Sequence, residues 1–438
     1  MMAWYSATAL MIGGVLVLMA FGLPVAVAFL GINILGAILF LGGMPGIDQL
    51  IANATDSVTS FSLVPVPLFV LMGELLFQSG LALRVFDALD KCLGTARGRL
   101  SYMTVAGGTL FATLSGSSMA NTAMLGTTLM PEMKARGYKN VLVMGPILAT
   151  GSLAMIIPPS SLAVLLGSLA RIDVGALLIA GVLPGLVLAV LFGIAIRVII
   201  ALDPEAAPSY DAERAPAREI AVALLRDVAP MGLVIFAVIG LILLGWATPT
   251  ESAAFGVLSV VILALLYRKL DRGVIVRSLR GTLAVSAMML TIIVASTTFA
   301  QILAFSGASR GVVQWATGFE VSGYVMLLFI FLVLLVMGMF MDQLSIMMLS
   351  LPIFMPLVLH FGFDSVWFGV FMLVALELSL VTPPFGLLLF VMLGVAPRGT
   401  TLWDVTKSVA PFILCTLILL VLLVLVPGLA TWLPGVGG

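Results

Sequence analysis

Two stretches of this sequence gather small polar residues where long apolar runs are interrupted. The first reads Ser115-Gly116-Ser117-Ser118-Met119-Ala120-Asn121-Thr122, hydroxyls and one amide around a glycine, and is followed by Gly151-Ser152 and by Ile157-Pro158-Pro159-Ser160-Ser161. Paired prolines remove two backbone donors and leave carbonyls upstream without partners. Hydroxyl, amide and carbonyl oxygens of this kind suit a hard cation such as sodium, and they avoid a costly buried carboxylate. The second stretch repeats the design as Met341-Asp342-Gln343-Leu344-Ser345 and Val381-Thr382-Pro383-Pro384-Phe385-Gly386. Asp342 sets it apart. A carboxylate in this setting is expected beside a cation or a hydroxyl, or else snorkelling at the outer edge of the segment. Glu377, upstream of the second proline pair, either neighbours a ligand or faces water.

The elements that hold these residues are membrane spans. Of 438 residues, 62% are hydrophobic and 9% charged, whereas a water-soluble domain carries charge on about a quarter of its sequence. Twenty basic and 20 acidic residues balance to a net charge of +0, so the chain as a whole holds no attraction for nucleic acid. Cys92, Cys415 and His360 are too few for a zinc or iron–sulfur site or a disulfide framework. A bilayer core requires roughly 20 apolar residues per crossing. Such runs fall near 4–22, 24–42, 58–80, 141–169 and 176–200, and again near 229–247, 249–267, 282–305, 366–395 and 409–427. No basic residue precedes the run from Trp4 to Phe21, which therefore reads as a retained first span and not a signal peptide. Between the third and fourth run of each set lies a further apolar segment, about 100–131 and about 325–356, broken in the middle.

The two sets match at a constant offset of 225, which pairs Pro24 with Pro249, Gly31 with Gly256, Pro131 with Pro356, Gly137 with Gly362, Pro158 with Pro383 and Pro159 with Pro384. Proline and glycine fix backbone geometry, so their common register means a shared architecture. Cytoplasmic loops are enriched in Lys and Arg, and here the bias reverses between halves. Segments 82–99 and 132–140 carry Arg84, Lys91, Arg97, Arg99, Lys134, Arg136 and Lys139, while their counterparts hold only Arg310. Conversely, 43–57 has no basic residue, and its counterpart has Arg268, Lys269, Arg272, Arg277 and Arg280. The expected fold is therefore an all-α polytopic membrane protein of two inverted repeats, 1–202 and 228–438, joined by a cytoplasmic linker or arm at 203–227. Each repeat holds a re-entrant hairpin (about 100–131, about 325–356) and a broken helix (about 141–169, about 366–395), a recurring plan of secondary transporters. The hairpins enter from opposite sides, and both termini fall in the periplasm.

Taken together in this order, Gly116-Ser117-Ser118-Met119-Ala120-Asn121, Ile157-Pro158-Pro159-Ser160, Ala247-Thr248-Pro249-Thr250-Glu251 and Val381-Thr382-Pro383-Pro384-Phe385-Gly386 resemble the large, DctM-like membrane subunit of tripartite ATP-independent periplasmic (TRAP) transporters over nearly the whole chain. The resemblance implies an elevator-type fold of the ion-transporter superfamily in a bacterial inner membrane, with no enzymatic activity and no cofactor beyond sodium as coupling ion. It implies one sodium held by Ser117, Asn121, Gly151 and Pro158, and another by Asp342, Ser345, Thr382 and Gly386. Substrate would lie between the two tips. Ser118 and Ser160 are the expected contacts, chosen for their hydroxyls, and half-helix N-termini favour a carboxylate there. The implied partners are a separate DctQ-like small subunit of four spans, a DctP-like periplasmic binding protein, an organic acid and membrane lipid. A stand-alone sodium- or proton-coupled carboxylate carrier is the alternative, with Asp342 or Glu377 as the proton site. An intramembrane enzyme would need a Ser-His, Ser-Lys or paired-Asp constellation at membrane depth, which the sequence does not offer.

Overall fold

The computed structural model describes residues 3–94, 96–208 and 216–436; the extreme termini and part of the expected linker lie outside them. The first half runs through α1 (Trp4–Ala20), α2 (Val25–Phe40), α3 (Met44–Thr59), α4 (Pro65–Ser79), α5 (Leu81–Leu93), α6 (Arg99–Ser115), α7 (Ser118–Ala135), α8 (Asn140–Gly151), α9 (Ser161–Ala170) and α10 (Val174–Leu202). The second runs through α11 (Ala217–Leu243), α12 (Pro249–Leu266), α13 (Arg272–Phe305), α14 (Ala308–Thr317), α15 (Gly323–Gly338), α16 (Gln343–His360), α17 (Ser365–Leu380), α18 (Leu387–Val395), α19 (Leu402–Leu425) and α20 (Gly428–Val436). No strand occurs among the described residues. Seven helices there are long and apolar enough to cross a membrane. Their outer faces are apolar too: Leu186, Val190, Ile194 and Val198 stand exposed along α10 at four-residue spacing, the pattern of a helix whose solvent is lipid. The protein is an all-helical, multi-pass membrane protein.

The 225-residue register carries into the elements. α7 and α16 begin at Ser118 and Gln343 and end at Ala135 and His360, and α8 and α17 begin at Asn140 and Ser365. Each expected hairpin is a helix–turn–helix (α6–α7 and α15–α16), and each expected broken helix is interrupted at its proline pair (α8–α9 and α17–α18). One helix group packs around α13, which lies along α2, α3 and α4. The other packs around α8, held between α6, α7 and α19. Every residue of α8 from Leu142 to Gly151 is buried, as is every residue of α17 from Trp367 to Leu380, so the broken helices form the core of the second group.

Three differences from the sequence expectation have local causes. Helix α11 starts at Ala217, so the connection between halves is shorter than 203–227. Ala217-Arg-Glu-Ile-Ala-Val-Ala-Leu-Leu is made of helix formers behind Pro216, a residue suited to a helix start. Segment 43–57, read only as a stretch without basic residues, is the helix α3. It lies on α13 through a polar ladder: Asn53 donates to Gln301 Oε1 at 2.6 Å and receives from Gln301 Nε2 at 3.1 Å, and Ser57 meets Thr297 at 3.0 Å. Finally, α13 is one helix of 34 residues, whereas its counterpart is divided into α3 and α4. Pro65 and Pro67 disfavour a continuous helix through Ser60–Val64, and no proline stands at the equivalent place in α13.

Close packing at the first break depends on α10. Gly181 and Gly185 lie one turn apart on the face towards the break; a methyl group on Gly181 would collide with the Ile156 carbonyl oxygen, and one on Gly185 with the Ile157 side chain. Small residues at this spacing let membrane helices approach backbone to backbone. Gly181→Ile is expected to lower the melting temperature of the detergent-purified protein, overpacking of this kind costing about 1–3 kcal/mol. Gly193→Ile, on the same helix with open space around it, is expected to leave the melting temperature unchanged.

Candidate functional site

At the first tip, α6 stops at Ser115, Gly116 takes a left-handed conformation (φ 59°) and Ser117 caps α7 by accepting a hydrogen bond from Ala120 N at 3.3 Å. The tip rests on the first break, since a Cβ at Gly116 would stand 3.3 Å from the Pro159 carbonyl oxygen. Asn121 is fully buried. Its Nδ2 donates to the Thr150 carbonyl at 2.9 Å, and its Oδ1 is buried with no partner. The Thr122 hydroxyl is likewise buried and unpartnered. Gly151 faces both residues' surroundings: a Cβ there would meet Thr122 Oγ1 and stand 3.3 Å from the Ser118 carbonyl. Unpartnered buried oxygens are uncommon in native structures and each calls for a cause. Here the Thr122 hydroxyl and the Ser118 carbonyl meet at Gly151, and Asn121 is bound to the carbonyl of the preceding residue, Thr150; oxygens of these kinds are those a hard cation takes. Asn121 and Gly151 are thus brought together. Pro158 is buried in the break behind them, and Ser117 sits at the edge with its hydroxyl engaged in the cap. Thr122 is absent from the expected set although the tip motif contained it; only its burial next to Gly151 singles it out.

The second tip places Asp342 where the first has Ser117, 225 residues earlier, and gives it the same task. Asp342 caps α16, its Oδ2 accepting from Leu344 N at 3.1 Å and Ser345 N at 3.3 Å, while the Ser345 hydroxyl donates to Oδ1. Asp342 and Ser345 therefore form one unit. Thr382 and Gly386 belong to the turn after α17, where Thr382 donates to the Leu378 carbonyl at 2.7 Å and Gly386 lies against the carbonyls of Leu380 and Thr382. The Phe340–Phe385 ring contact, 5.5 Å between centroids, joins tip and turn. The two breaks differ in cover: the first is buried throughout, whereas Pro383, Pro384 and Phe385 are exposed.

Between the tips lies a cavity of about 480 Å³. Ser115–Ala120 line it from one tip and Asp342–Leu344 from the other; Glu74 and Phe77 on α4 and Val285 to Ile292 on α13 close the remaining side. The expected contact Ser160 does not reach it. Ser160 is fully buried and its hydroxyl caps α9 by accepting from Ala163 N at 3.1 Å, while the next residue, Ser161, lines the cavity. Ser118 does line the cavity, but its hydroxyl donates to Glu377 Oε1 at 2.6 Å. Glu377 is 0% exposed, and its Oε2 has no partner among the described residues. The equivalent residue of the second tip, Gln343, reaches into the first break, its Nε2 lying 3.1 Å from Met155 Sδ. Each tip is thus tied to the broken helix of the other half.

The profile described as "Tripartite ATP-independent periplasmic transporter, DctM component" matches residues 12–429. The chain belongs to the DctM family of TRAP transporters. Among the family's curated members, the C4-dicarboxylate TRAP transporter large permease protein DctM of Rhodobacter capsulatus is 31% identical over 98% of this chain and 100% of its own length. The isethionate TRAP transporter permease protein DctMQ of Oleidesulfovibrio alaskensis is 30% identical over 94% of this chain, which spans 64% of that longer protein. The ectoine permease TeaC of Halomonas elongata is 28% identical over 97% of this chain and 98% of its own length. Among solved structures, the YdaH transporter of Alcanivorax borkumensis shares the fold (TM-score 0.64, 15% identity, 91% of each chain). So does MtrF of Neisseria gonorrhoeae (TM-score 0.56, 15% identity, 86% of this chain and 83% of that one). Within this DctM-family chain, the contact between Ser118 and Glu377 joins hairpin to opposite repeat. Ser118→Ala is expected to cost about 1–3 kcal/mol by leaving a buried carboxylate oxygen unpartnered. Unfolding of Ser118→Ala, Glu377→Gln and the double variant is expected to show a coupling of about 0.5–3 kcal/mol; additive effects would mean that the contact does not hold the halves together.

Proposed function

We propose that this chain is the large permease subunit of a sodium-coupled importer of small organic acids, working with a four-span small subunit and a periplasmic binding protein in the bacterial inner membrane. The observation that carries the reading is the polar cluster at the first tip: Thr122 Oγ1, buried and unpartnered, meets the Ser118 carbonyl at Gly151, and the neighbouring Asn121, held on the Thr150 carbonyl, keeps a buried Oδ1 without a partner. Sodium there satisfies oxygens that otherwise cost desolvation without return. A second ion is assigned to Asp342 and Ser345 with the carbonyls around Thr382 and Gly386, the pseudo-equivalent place in the other half. Because Asp342 Oδ1 and Oδ2 already accept three hydrogen bonds, that carboxylate acts chiefly as a fixed negative charge.

Substrate is assigned to the cavity between the tips. The N-termini of α7, α9 and α16 lie at its wall, and each directs partial positive charge towards an anion. This favours a carboxylate, in keeping with the C4-dicarboxylates and other small organic acids in the names of the relatives. The two helix groups supply the parts of an elevator: a hairpin body packed on α8 and α17, and a scaffold built on α13, with the cavity between them. On the positive-inside reading the repeats are inverted, and this cavity lies towards the cytoplasm, since α4 leads from Glu74 and Phe77 directly into segment 82–99, which carries Arg84, Lys91, Arg97 and Arg99. Ions at the tips draw hairpins and breaks into one rigid unit, so that an unloaded body, with its oxygens unpaired, crosses less readily.

The test is uptake by proteoliposomes holding this chain and its small subunit, with a dicarboxylate-loaded binding protein outside and sodium and proton gradients imposed separately. Uptake is expected to require sodium and the binding protein together. Asn121→Ala is expected to raise the sodium concentration for half-maximal uptake by roughly tenfold, the loss of one buried oxygen ligand being worth on the order of 1–3 kcal/mol. Sodium-driven uptake of free acid without the binding protein would make the chain a stand-alone carrier. Uptake driven by protons alone would remove the sodium assignment.

A further inference from the structure

A second cavity, of about 590 Å³, lies between the same two helix groups on the far side of the tips. Its walls come from the end of α3, residues 293–304 of α13, the last turn of α9 and the middle of α16. Its depth follows from contacts that gather the basic segments at one end of the protein. Lys139 pairs with Asp203 at 2.6 Å, Leu100 N donates to Tyr138 Oη at 3.4 Å, and Arg84 pairs with Asp227 at 2.8 Å and stacks over Tyr267. α8–α9 leaves that end at Asn140 and α13 leaves it at Arg272. Arg171, in the turn after α9, and Gln301, near the end of α13, therefore lie at the opposite end.

The chemistry of this cavity differs from that between the tips. Serine and threonine hydroxyls make up most of its polar lining, with Arg171 the one cation and Asp56 the one carboxylate among the lining residues, and neither forms an ion pair among the described residues. The Ser168 hydroxyl is buried without a partner, and Ser296 is 5% exposed with no hydrogen bond from its hydroxyl among the described residues. Arg171 also holds a backbone conformation that favours glycine, closing α9 at φ 56°. A helix end of this geometry ordinarily takes Gly or Asn. A residue that bears such strain for its side chain is a pointer to function.

We propose that this cavity is a second anion site, which takes a small hydroxylated carboxylate with its carboxylate on the Arg171 guanidinium and its hydroxyls among Ser168, Ser296 and Asp56. An unpaired guanidinium presents the planar fork that carboxylates fit, and the volume matches that of small-molecule sites. Arg171 belongs to the hairpin body and Ser296 to the scaffold, so a bound acid bridges the two. Resting on the transport reading above, the site is where an acid arriving from outside waits before it reaches the tips.

The experiment is thermal-shift titration of the purified chain with its small subunit, using L-malate and D-gluconate, with and without sodium. A sodium-independent stabilisation is expected with at least one acid. Arg171→Gln is expected to weaken it by roughly tenfold or more, the size of a lost charge-assisted contact, and Asp342→Asn to leave it in place. Arg171→Gly, which suits the left-handed turn, is expected to be at least as stable as the natural protein and to lose the same binding, so misfolding cannot imitate the result. No sodium-independent shift with either acid, or one that survives both Arg171 substitutions, overturns the proposal. Sodium-dependent binding that Asp342→Asn abolishes reports on the inter-tip site and succeeds or fails separately.

Discussion

A helix interrupted inside a bilayer exposes backbone groups that lipid cannot satisfy, and both halves of this protein are organised around covering such an interruption. The first break is sealed by the tip of the first hairpin through Gly116, and by α10 through Gly181 and Gly185, where any side chain would collide with the break. The seal is then locked from the other half, because Ser118 binds Glu377 and Gln343 reaches Met155. Neither repeat completes its own cover. That mutual dependence explains why α8 and α17 are buried along their length and why the cavity between the tips arises at the centre of the fold.

Duplication supplies the frame, and divergence supplies the chemistry. Position 117 and its counterpart 342 both cap the second helix of a hairpin, yet one is serine and the other aspartate. Asn121 corresponds to Ile346, so the first half concentrates neutral oxygens where the second is apolar, and the second places a carboxylate, Asp342, at its tip. Two halves with a common backbone thus present two different polar environments at their tips. The difference extends to cover, since the first proline pair is sealed and the second is open at Pro383–Phe385.

Much of this was legible in the sequence because proline and glycine report backbone geometry directly. The offset of 225 located both hairpins, both breaks and the residue pairs that share a role. Side-chain partners were less legible, because they depend on which half a tip meets. Ser160 looked like a contact from its hydroxyl, but at the first position of a helix that hydroxyl is taken by Ala163 N. Ser118 looked free, but the partner that claims it stands 259 residues away. Thr122 stood within the tip motif, and its importance emerges only once Gly151 is seen to leave room beside it. Helix α3 was missed for a different reason: its polar residues Asn53 and Ser57 face α13 and not water, so apolar runs could not reveal it.

The unbroken helix α13 carries a consequence for how the protein sits in its membrane. At 1.5 Å per residue, 34 residues extend about 51 Å, against a hydrocarbon core of about 30 Å. Ordinary tilts of up to about 40° do not absorb that difference, so the helix protrudes, and Arg272, Arg277 and Arg280 form a charged collar on the protruding turns. Drawing one such guanidinium to the centre of the bilayer costs about 2.5–3.5 kcal/mol on insertion scales. The collar therefore acts as a depth gauge: it fixes α13 and the helices packed on it to the headgroup plane, and a change in bilayer thickness would be felt as a change in the height of that group.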